Sequence, residues 1–192
     1  MIFYQEISLL PGADISPYFL WQKLYQQIHL ALVENKNSVN QSAIGVSFPD
    51  YNAAEYLLGT KLRLFAEDRR LLEELNCHKW LSRLSDYVQI GQTKSVPEKI
   101  EGYACFKHIK LKGNKGKLAR RRARRKGESF QEALAHFDNY VEQHSKLPYI
   151  NVVSLTNEQR FRLFIEKQVS DQPQTGFFSC YGLSNTTTVP LF

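Results

Sequence analysis

A block of positive charge between Lys107 and Lys126 is the feature that most constrains this chain. It contains eleven Lys and Arg residues and no carboxylate. Such a run is solvated, so this stretch belongs on the surface of whatever fold forms. Without the block, 14 basic residues face 19 acidic ones, and the net charge falls from +6 to −5. The positive field is therefore local, and it is attached to an otherwise mildly acidic protein.

A field of this density suits a polyphosphate partner, because each phosphate that a cation neutralises releases condensed counterions. A purely solvated charge run and a sorting signal are alternative interpretations, since both are also rich in Lys and Arg. The density of the cations and the lack of acids favour nucleic acid.

Helical spacing would arrange part of the block in one stripe. If residues 117–126 form a helix, five cations recur at i, i+3, i+4, i+7 and i+8. These are Lys117, Arg120, Arg121, Arg124 and Arg125. We expect the stripe to follow nucleic-acid phosphates, together with Lys112 and Asn114 before it. Arg can also bind guanine O6 and N7 with two hydrogen bonds, but the major groove of A-form RNA admits side chains only near a helix end or loop.

The composition is that of a folded protein without a metal centre. A 43% hydrophobic content with 12 Phe and 10 Tyr is enough for a packed core. Cys77, Cys105 and Cys180 are widely spaced, and no CxxC or His/Cys cluster has zinc-ligand spacing. We therefore expect reduced thiols in a cytoplasmic protein, and we predict neither metal nor cofactor. Met1 leads into a strand-like segment, which argues against a signal peptide, and no apolar run reaches the roughly 18 residues of a membrane span.

The first half of the chain predicts a β-α-β-β-α-β order, the ferredoxin-like split. Ser16 and Pro17 signal a helix start, and apolar residues at helical spacing carry that helix to Glu34. We predict strands near 2–9, 44–48, 61–65 and 87–90 and further helices near 68–75 and 79–84. Residues 1–93 are therefore interpreted as a ferredoxin-like (RRM-like) domain.

Residues 94–102 carry Gly, Pro and charges and are predicted to be a linker. Residues 103–192 are then an α/β domain that carries the arginine-rich helix, and the whole chain is α+β. Ser129 and Glu132 form a capping box that opens a second helix. That helix is predicted to present one apolar face, made of Phe130, Ala133, Leu134, Phe137, Tyr140 and Val141. Strands are predicted near 103–112, 149–154, 161–165, 177–181 and 189–192.

Four short sequence segments are informative in combination. They are the GVSFPD of residues 45–50, the basic helix, the FRLFI of residues 161–165 and the YGLS of residues 181–184, and His29 lies in the first long helix. With them the chain closely resembles, nearly end to end, the CRISPR-associated endoribonucleases of the type I-F system. The resemblance implies a ferredoxin-like N-terminal domain joined to a C-terminal domain with an arginine-rich helix, which agrees with the pattern above.

The resemblance also implies an activity. Family members bind the stem-loop of the CRISPR repeat and cut at its 3′ foot without a metal. The ribose 2′-hydroxyl attacks the adjacent phosphate, which leaves a 2′,3′-cyclic phosphate and a 5′-hydroxyl. The expected partners are the repeat hairpin, which stays bound after cleavage, and the other subunits of the type I-F interference complex. The free protein is expected to be a monomer and to have no membrane contact.

The same resemblance gives roles to individual residues. It makes His29 the catalytic histidine, Ser154 the ribose-positioning serine and Tyr181 the tyrosine that supports the histidine. Phe161 would stack on the base at the foot of the stem, and Thr156 would be a second hydroxyl residue. Taken singly, each would be interpreted as an ordinary structural residue, although the unperturbed pKa of histidine, about 6.5, suits proton transfer.

The strand before the basic helix departs from the family pattern. Some members have Arg and Gln where this chain has His108 and Lys110. We predict that both contact RNA, but the departure leaves the base specificity open. His108 as a second proton-transfer residue also remains possible on this pattern.

Two other classes of protein remain as alternatives. A hairpin-binding subunit that caps an RNA end without cutting it would need the same basic helix. A ribosomal-type basic protein would be basic throughout, which the acidic remainder of this chain is not. The RNP1 string of an ordinary single-strand-binding RRM does not occur in the sequence.

Overall fold

A computed structural model describes residues 1–10, 15–55, 57–154 and 158–192. The strands are β1 (Phe3–Leu9), β2 (Gln41–Ser42), β3 (Gly45–Ser47), β4 (Lys61–Ala66), β5 (Val88–Ile90), β6 (Lys94–Ser95), β7 (Gly102–Ile109), β8 (Tyr149–Val153), β9 (Arg160–Ser170), β10 (Phe178–Ser179) and β11 (Val189–Leu191). The helices are α1 (Pro17–Glu34), α2 (Arg69–Leu75), α3 (Cys77–Trp80), α4 (Lys115–Lys126) and α5 (Phe130–Ala135), with a 3₁₀ turn at Ser82–Leu84. The predicted α+β class is confirmed.

The first sheet has the strand order β3-β4-β1-β5, and β6 also pairs with β1. All of these pairings are antiparallel. β3, the first strand of this sheet after α1, is therefore separated from β1 by β4, which is the split β-α-β arrangement. Gln5, Ile7 and Leu9 alternate as buried residues along β1, so this face of the sheet carries the core.

Helix α1 begins and ends where the sequence predicts. Pro17 is at its first turn, where a missing N–H costs nothing. Its buried face recurs at helical spacing and consists of Leu20, Trp21, Leu24, Tyr25, Ile28, Ala31 and Leu32. His29 lies at the border of this face and is half-buried.

Phe48, from the GVSFPD string, lies in the core between helix and sheets. It is fully buried. Its ring lies 5.5 Å from Trp21 and 6.0 Å from Tyr25 of α1, and 5.5 Å from Phe106 of β7, between ring centroids. Aromatic pairs at these distances stabilise a core beyond their buried area. Phe48 therefore joins α1 to the strand that precedes the basic segment in the chain.

The second sheet has the order β11-β7-β9-β8, with antiparallel pairing throughout. Its register sets His108 opposite Ile165 and Phe161 opposite Val152. β8 is the edge strand of this sheet, and within the described part of the chain no strand pairs with its other side.

The chain divides into two compact units, residues 1–109 with 147–192 and residues 110–146. The predicted domain limits, 1–93 and 103–192, come from sequence composition, whereas this division reflects which residues pack together. The predicted limits therefore stay predictions. Within the predicted linker, Lys94–Ser95 forms a short strand on β1. Across the described ranges, we find no helix long and apolar enough to cross a membrane.

The smaller unit consists of α4, α5 and their connections. The predicted capping box is present: the Ser129 hydroxyl accepts from the Glu132 N–H, and the Glu132 carboxylate accepts from the Ser129 N–H. The predicted extent of this helix was wrong, because α5 ends at Ala135. Val141 is not part of an apolar helix face but is 82% exposed.

Gly182 lies where the C-terminal turn meets β3. Its carbonyl accepts from the Val46 N–H at 2.9 Å, and its φ is +70°. A Cβ at this position would overlap the Val46 side chain, at 2.4 Å from Cγ1. Only glycine therefore fits both the backbone conformation and the close approach.

We expect Gly182→Ala to lower the free energy of unfolding by about 2–4 kcal/mol, from the left-handed conformation and the forced repacking together. Gly127→Ala is the matched control, because Gly127 also has a φ of +70° but would place its Cβ in open space. Its cost should be about 1–2 kcal/mol, that of the left-handed conformation alone. Denaturant unfolding measures both, and equal losses would show that the Val46 contact is unimportant.

Candidate active site and nucleic-acid interface

His29 is stacked on Tyr181. The two ring centroids are 4.0 Å apart, and the ring planes differ by only 4°. His29 Nδ1 lies 2.9 Å from the carbonyl oxygen of Cys180. Cys180 therefore holds the Nδ1 edge of the imidazole, and the Tyr181 ring covers its face.

This hydrogen bond determines where the imidazole proton lies. A carbonyl oxygen can only accept, so Nδ1 carries the hydrogen and donates it to Cys180. In the neutral ring, Nε2 then has the free lone pair. Burial lowers the pKa of His29 below 6.5, and the Cys180 hydrogen bond offsets this in part. The ring is neutral at pH 7 and can accept a proton on Nε2.

Tyr25 binds the same segment one turn earlier on α1. Its hydroxyl donates to the Tyr181 carbonyl at 2.7 Å, and its side chain is fully buried. Burial, and next the nearby Tyr181, raise the pKa of Tyr25 well above 10.0, so the phenol keeps its proton and remains a donor. Helix α1 thus binds two consecutive carbonyls, those of Cys180 and Tyr181.

Two more predicted residues complete an aromatic cluster. The ring of His108, from β7, lies 6.4 Å from Tyr181 and 6.4 Å from Phe161 of β9. Phe161 lies 6.5 Å from Tyr181 at an interplanar angle of 88°. The structure therefore brings His29, His108, Phe161 and Tyr181 together from four separate stretches of the chain.

Ser154 follows β8 directly and is half-buried. Its N–H donates to the Gln159 carbonyl at 2.9 Å. The preceding N–H, of Val153, donates to the side chain of Gln26 on α1 at 3.2 Å. The backbone before Ser154 is therefore bound to the helix that carries His29. Thr156 lies outside the described residues.

The basic helix lies in the other unit and presents the predicted stripe. Asn114 caps α4, because its side chain accepts from the Lys117 N–H at 2.9 Å. The five cations of the stripe are all exposed: Lys117, Arg120, Arg121, Arg124 and Arg125. Lys110 and Lys112 are exposed as well. Arg122 faces another way and forms an ion pair with Glu128 at 2.6 Å.

The acids of this unit are engaged in internal contacts. Residues 110–146 contain eleven basic residues and four acidic ones, a net charge of +7. Glu128 binds Arg122, and Asp138 binds the Lys115 ammonium at 2.8 Å. Glu142 accepts from the Lys115 N–H, and the Ser129 N–H lowers the pKa of the capping Glu132. None of these contacts involves the exposed stripe, so these acids do not neutralise its positive charge.

Sequence patterns did not single out Tyr25, Gln26 or the Cys180 carbonyl. Tyr25 and Gln26 precede His29 by four and three residues on the same helix, so helical spacing places all three on one side of α1. That spacing was the available signal. A backbone carbonyl has no signal in the sequence.

Known proteins match this chain over nearly its whole length. A family model described as "CRISPR-associated protein (Cas_Csy4)" matches residues 4–192. Two curated relatives, each called CRISPR-associated endonuclease Cas6/Csy4, come from Escherichia coli (strain UTI89 / UPEC) and Pseudomonas aeruginosa (strain UCBPP-PA14). Each is 34% identical over 190 residues, which is 98% of this chain and 98% of the relative. One solved structure, an RAMP protein binding different RNA substrates, aligns with a TM-score of 0.38 and 10% identity over 98% of this chain and all of the other, too low to support an argument.

These matches define the class of protein: a CRISPR-associated endonuclease. More specifically, the chain belongs to the Cas_Csy4 family. The family resemblance found in the sequence is thereby confirmed. The roles given to single residues stay predictions.

The lowered pKa of His29 can be measured in the free protein. We expect an NMR titration of its imidazole to give a value below 6.5, because burial penalises the charged ring. The folded protein then binds this proton more weakly than the unfolded chain. Its contribution to the free energy of unfolding is complete above pH 6.5 and is lost as the pH falls. The same protein in urea is the control, and a folded-state value of 6.5 or higher would contradict the effect of burial.

Proposed function

We propose that this protein is a metal-independent endoribonuclease that cuts precursor CRISPR RNA at the 3′ foot of the repeat hairpin. The observation that carries the proposal is the half-buried His29, whose Nδ1 is held by a backbone carbonyl so that Nε2 has a free lone pair. Membership of a family whose named relatives are CRISPR-associated endonucleases supports the substrate class.

His29 acts on the ribose upstream of the cut. Its Nε2 accepts the 2′-hydroxyl proton, and the 2′-oxygen forms a bond to the adjacent phosphorus. The bond from phosphorus to the 5′-oxygen breaks, and the 5′-oxygen takes a proton from solvent or a nearby acid. The products are a 2′,3′-cyclic phosphate and a 5′-hydroxyl. A base of pKa near the working pH suits this transfer.

Ser154 and Tyr181 position the reacting groups. Tyr181 stacks on His29 and restricts rotation of the imidazole. Ser154 hydrogen-bonds the attacking ribose, since a correctly held nucleophile saves much of the entropy of reaction. Phe161 supplies a ring on which the closing base pair of the stem stacks. Thr156 is proposed as a second hydroxyl residue that contacts the RNA.

The smaller unit supplies most of the affinity. Its exposed cations neutralise phosphates along the stem, and Lys112 and Asn114 add to this binding. His108 and Lys110 contact the bases beside the cut. Most of the contacts are to the RNA backbone of the stem. Because the cut leaves the stem intact, the product hairpin stays bound. The protein acts as a monomer that then joins the other subunits of the type I-F interference complex in the cytoplasm.

Incubation with a matching hairpin repeat RNA in EDTA tests the activity. We expect a single cut at the 3′ foot with a cyclic phosphate end, and no cut when that one ribose is 2′-deoxy. His29→Ala should lower the cleavage rate constant about 10²–10⁴-fold, the range for removal of a proton-transfer group, with little change in hairpin affinity.

His144→Ala is the control variant, because His144 is an exposed histidine of the smaller unit. Its rate should equal that of the wild type. Tight binding with intact RNA would support the non-cleaving cap instead. Undiminished cutting by His29→Ala would remove this residue from the mechanism.

The role of the basic stripe has its own measurement. We expect replacement of Arg120, Arg121, Arg124 and Arg125 by Gln to weaken hairpin binding strongly. The slope of log affinity against log salt should become shallower by up to about 0.9 for each phosphate that the variant no longer neutralises. Arg122→Gln is the matched control on the same helix, since its guanidinium is engaged with Glu128. An unchanged slope in the fourfold variant would mean that α4 does not bind the phosphates.

A further inference from the structure

Gln26 lies on α1 one turn before His29 and is half-buried. Three residues along a helix bring two side chains to the same side. The side-chain oxygen of Gln26 accepts a hydrogen bond from the Val153 N–H at 3.2 Å. The same stretch of α1 therefore carries His29 and binds the end of β8.

Among the described residues, no neighbouring strand accepts the Val153 N–H. Successive N–H groups of a strand point to opposite sides, and that of Ser154 points to Gln159 across the pair with β9. Val153 must then point to the open side, because β8 is an edge strand. Gln26 occupies the place that a further strand would take.

Ser154 is consequently held from two sides. Its own N–H is bound to Gln159, and the peptide before it is bound to Gln26. Ile150 and Val152, both buried, share the side-chain face of Ser154 by the two-residue period of a strand.

The nitrogen of the Gln26 amide differs in this respect from its oxygen. Its Nε2 is buried and has no hydrogen-bond partner among the residues that the structure describes. A buried amide donor without a partner is unfavourable, so this end of the side chain does not account for a glutamine at this place. The side chain is useful here for its oxygen, which is the atom that binds Val153.

We propose that Gln26 is a positioning residue for RNA cleavage. By accepting from the Val153 N–H, it fixes the direction of the backbone that presents Ser154 toward the site of His29. The inference rests on the proposed endoribonuclease function, in which Ser154 holds the attacking ribose. Gln26 itself acts through Ser154 and not on the RNA.

Single-turnover cleavage at saturating protein tests this, on the plateau of the pH profile. Gln26→Met keeps the length of the side chain and removes the acceptor. We expect the rate constant to fall about 10- to 100-fold, since small displacements of a positioned nucleophile have effects of this size. The dissociation constant for the hairpin should stay within about twofold, because Gln26 contacts no phosphate in this scheme.

Gln26→Glu retains an acceptor for Val153 and should restore most of the rate, which a merely structural defect would not allow. Gln22→Met, one turn earlier on α1, is the control for the substitution itself and should cleave as the wild type does. In a Ser154→Ala background, Gln26→Met should add no further loss, because both changes remove the same function.

A wild-type rate in Gln26→Met would overturn the inference. So would a loss that adds in full to that of Ser154→Ala, or one matched by an equal loss of affinity. If Gln26→Met does not fold, Gln26→Ala takes its place with the same expectations. A wild-type protein that cuts no matched hairpin would instead refute the proposed function, and that outcome is distinct because Gln26 then changes nothing measurable.

Discussion

Two hydrogen bonds from α1 to consecutive carbonyls determine the rest of this candidate site. Tyr25 and His29 lie one turn apart and bind the carbonyls of Tyr181 and Cys180. The partners are more than 150 positions apart in the chain, so these bonds exist only in the folded protein. The Tyr181 ring can stack on the imidazole only because its backbone is fixed beside α1. Gly182 follows at once and lets the chain pass close to Val46.

The charge of the chain is divided in the same way as its structure. The unit of residues 110–146 carries +7, so the remainder carries −1. The four carboxylates of the basic unit cap helices or bind cations on its other faces, and each therefore stabilises the unit without neutralising the stripe.

The sequence predicted best those features that local patterns determine. Ser16 and Pro17 located the start of α1, and its periodic apolar face located the end. Short strands such as Gln41–Ser42 were missed, because two residues form a strand only through a distant partner, here Phe178–Ser179. The apolar pattern extended α5 as far as Val141, but the chain leaves the helix at Ala135. His29 and Tyr181 were selected by family resemblance. The contacts of Tyr25 and Gln26 could be recognised only in the structure, because their partners are backbone atoms.

The hydrogen-bond partner of His29 has a consequence for the lifetime of its charge. Catalytic histidines are often held by a carboxylate, which stabilises the imidazolium that forms. Here the partner is a neutral carbonyl, and burial disfavours the positive ring. In the proposed reaction, a proton that Nε2 takes from the ribose is therefore bound weakly and readily lost. Such a base is well suited to one transfer on one bound molecule and poorly suited to storing charge between rounds. The proposed function, in which one bound RNA is cut once and then kept, requires no more than this.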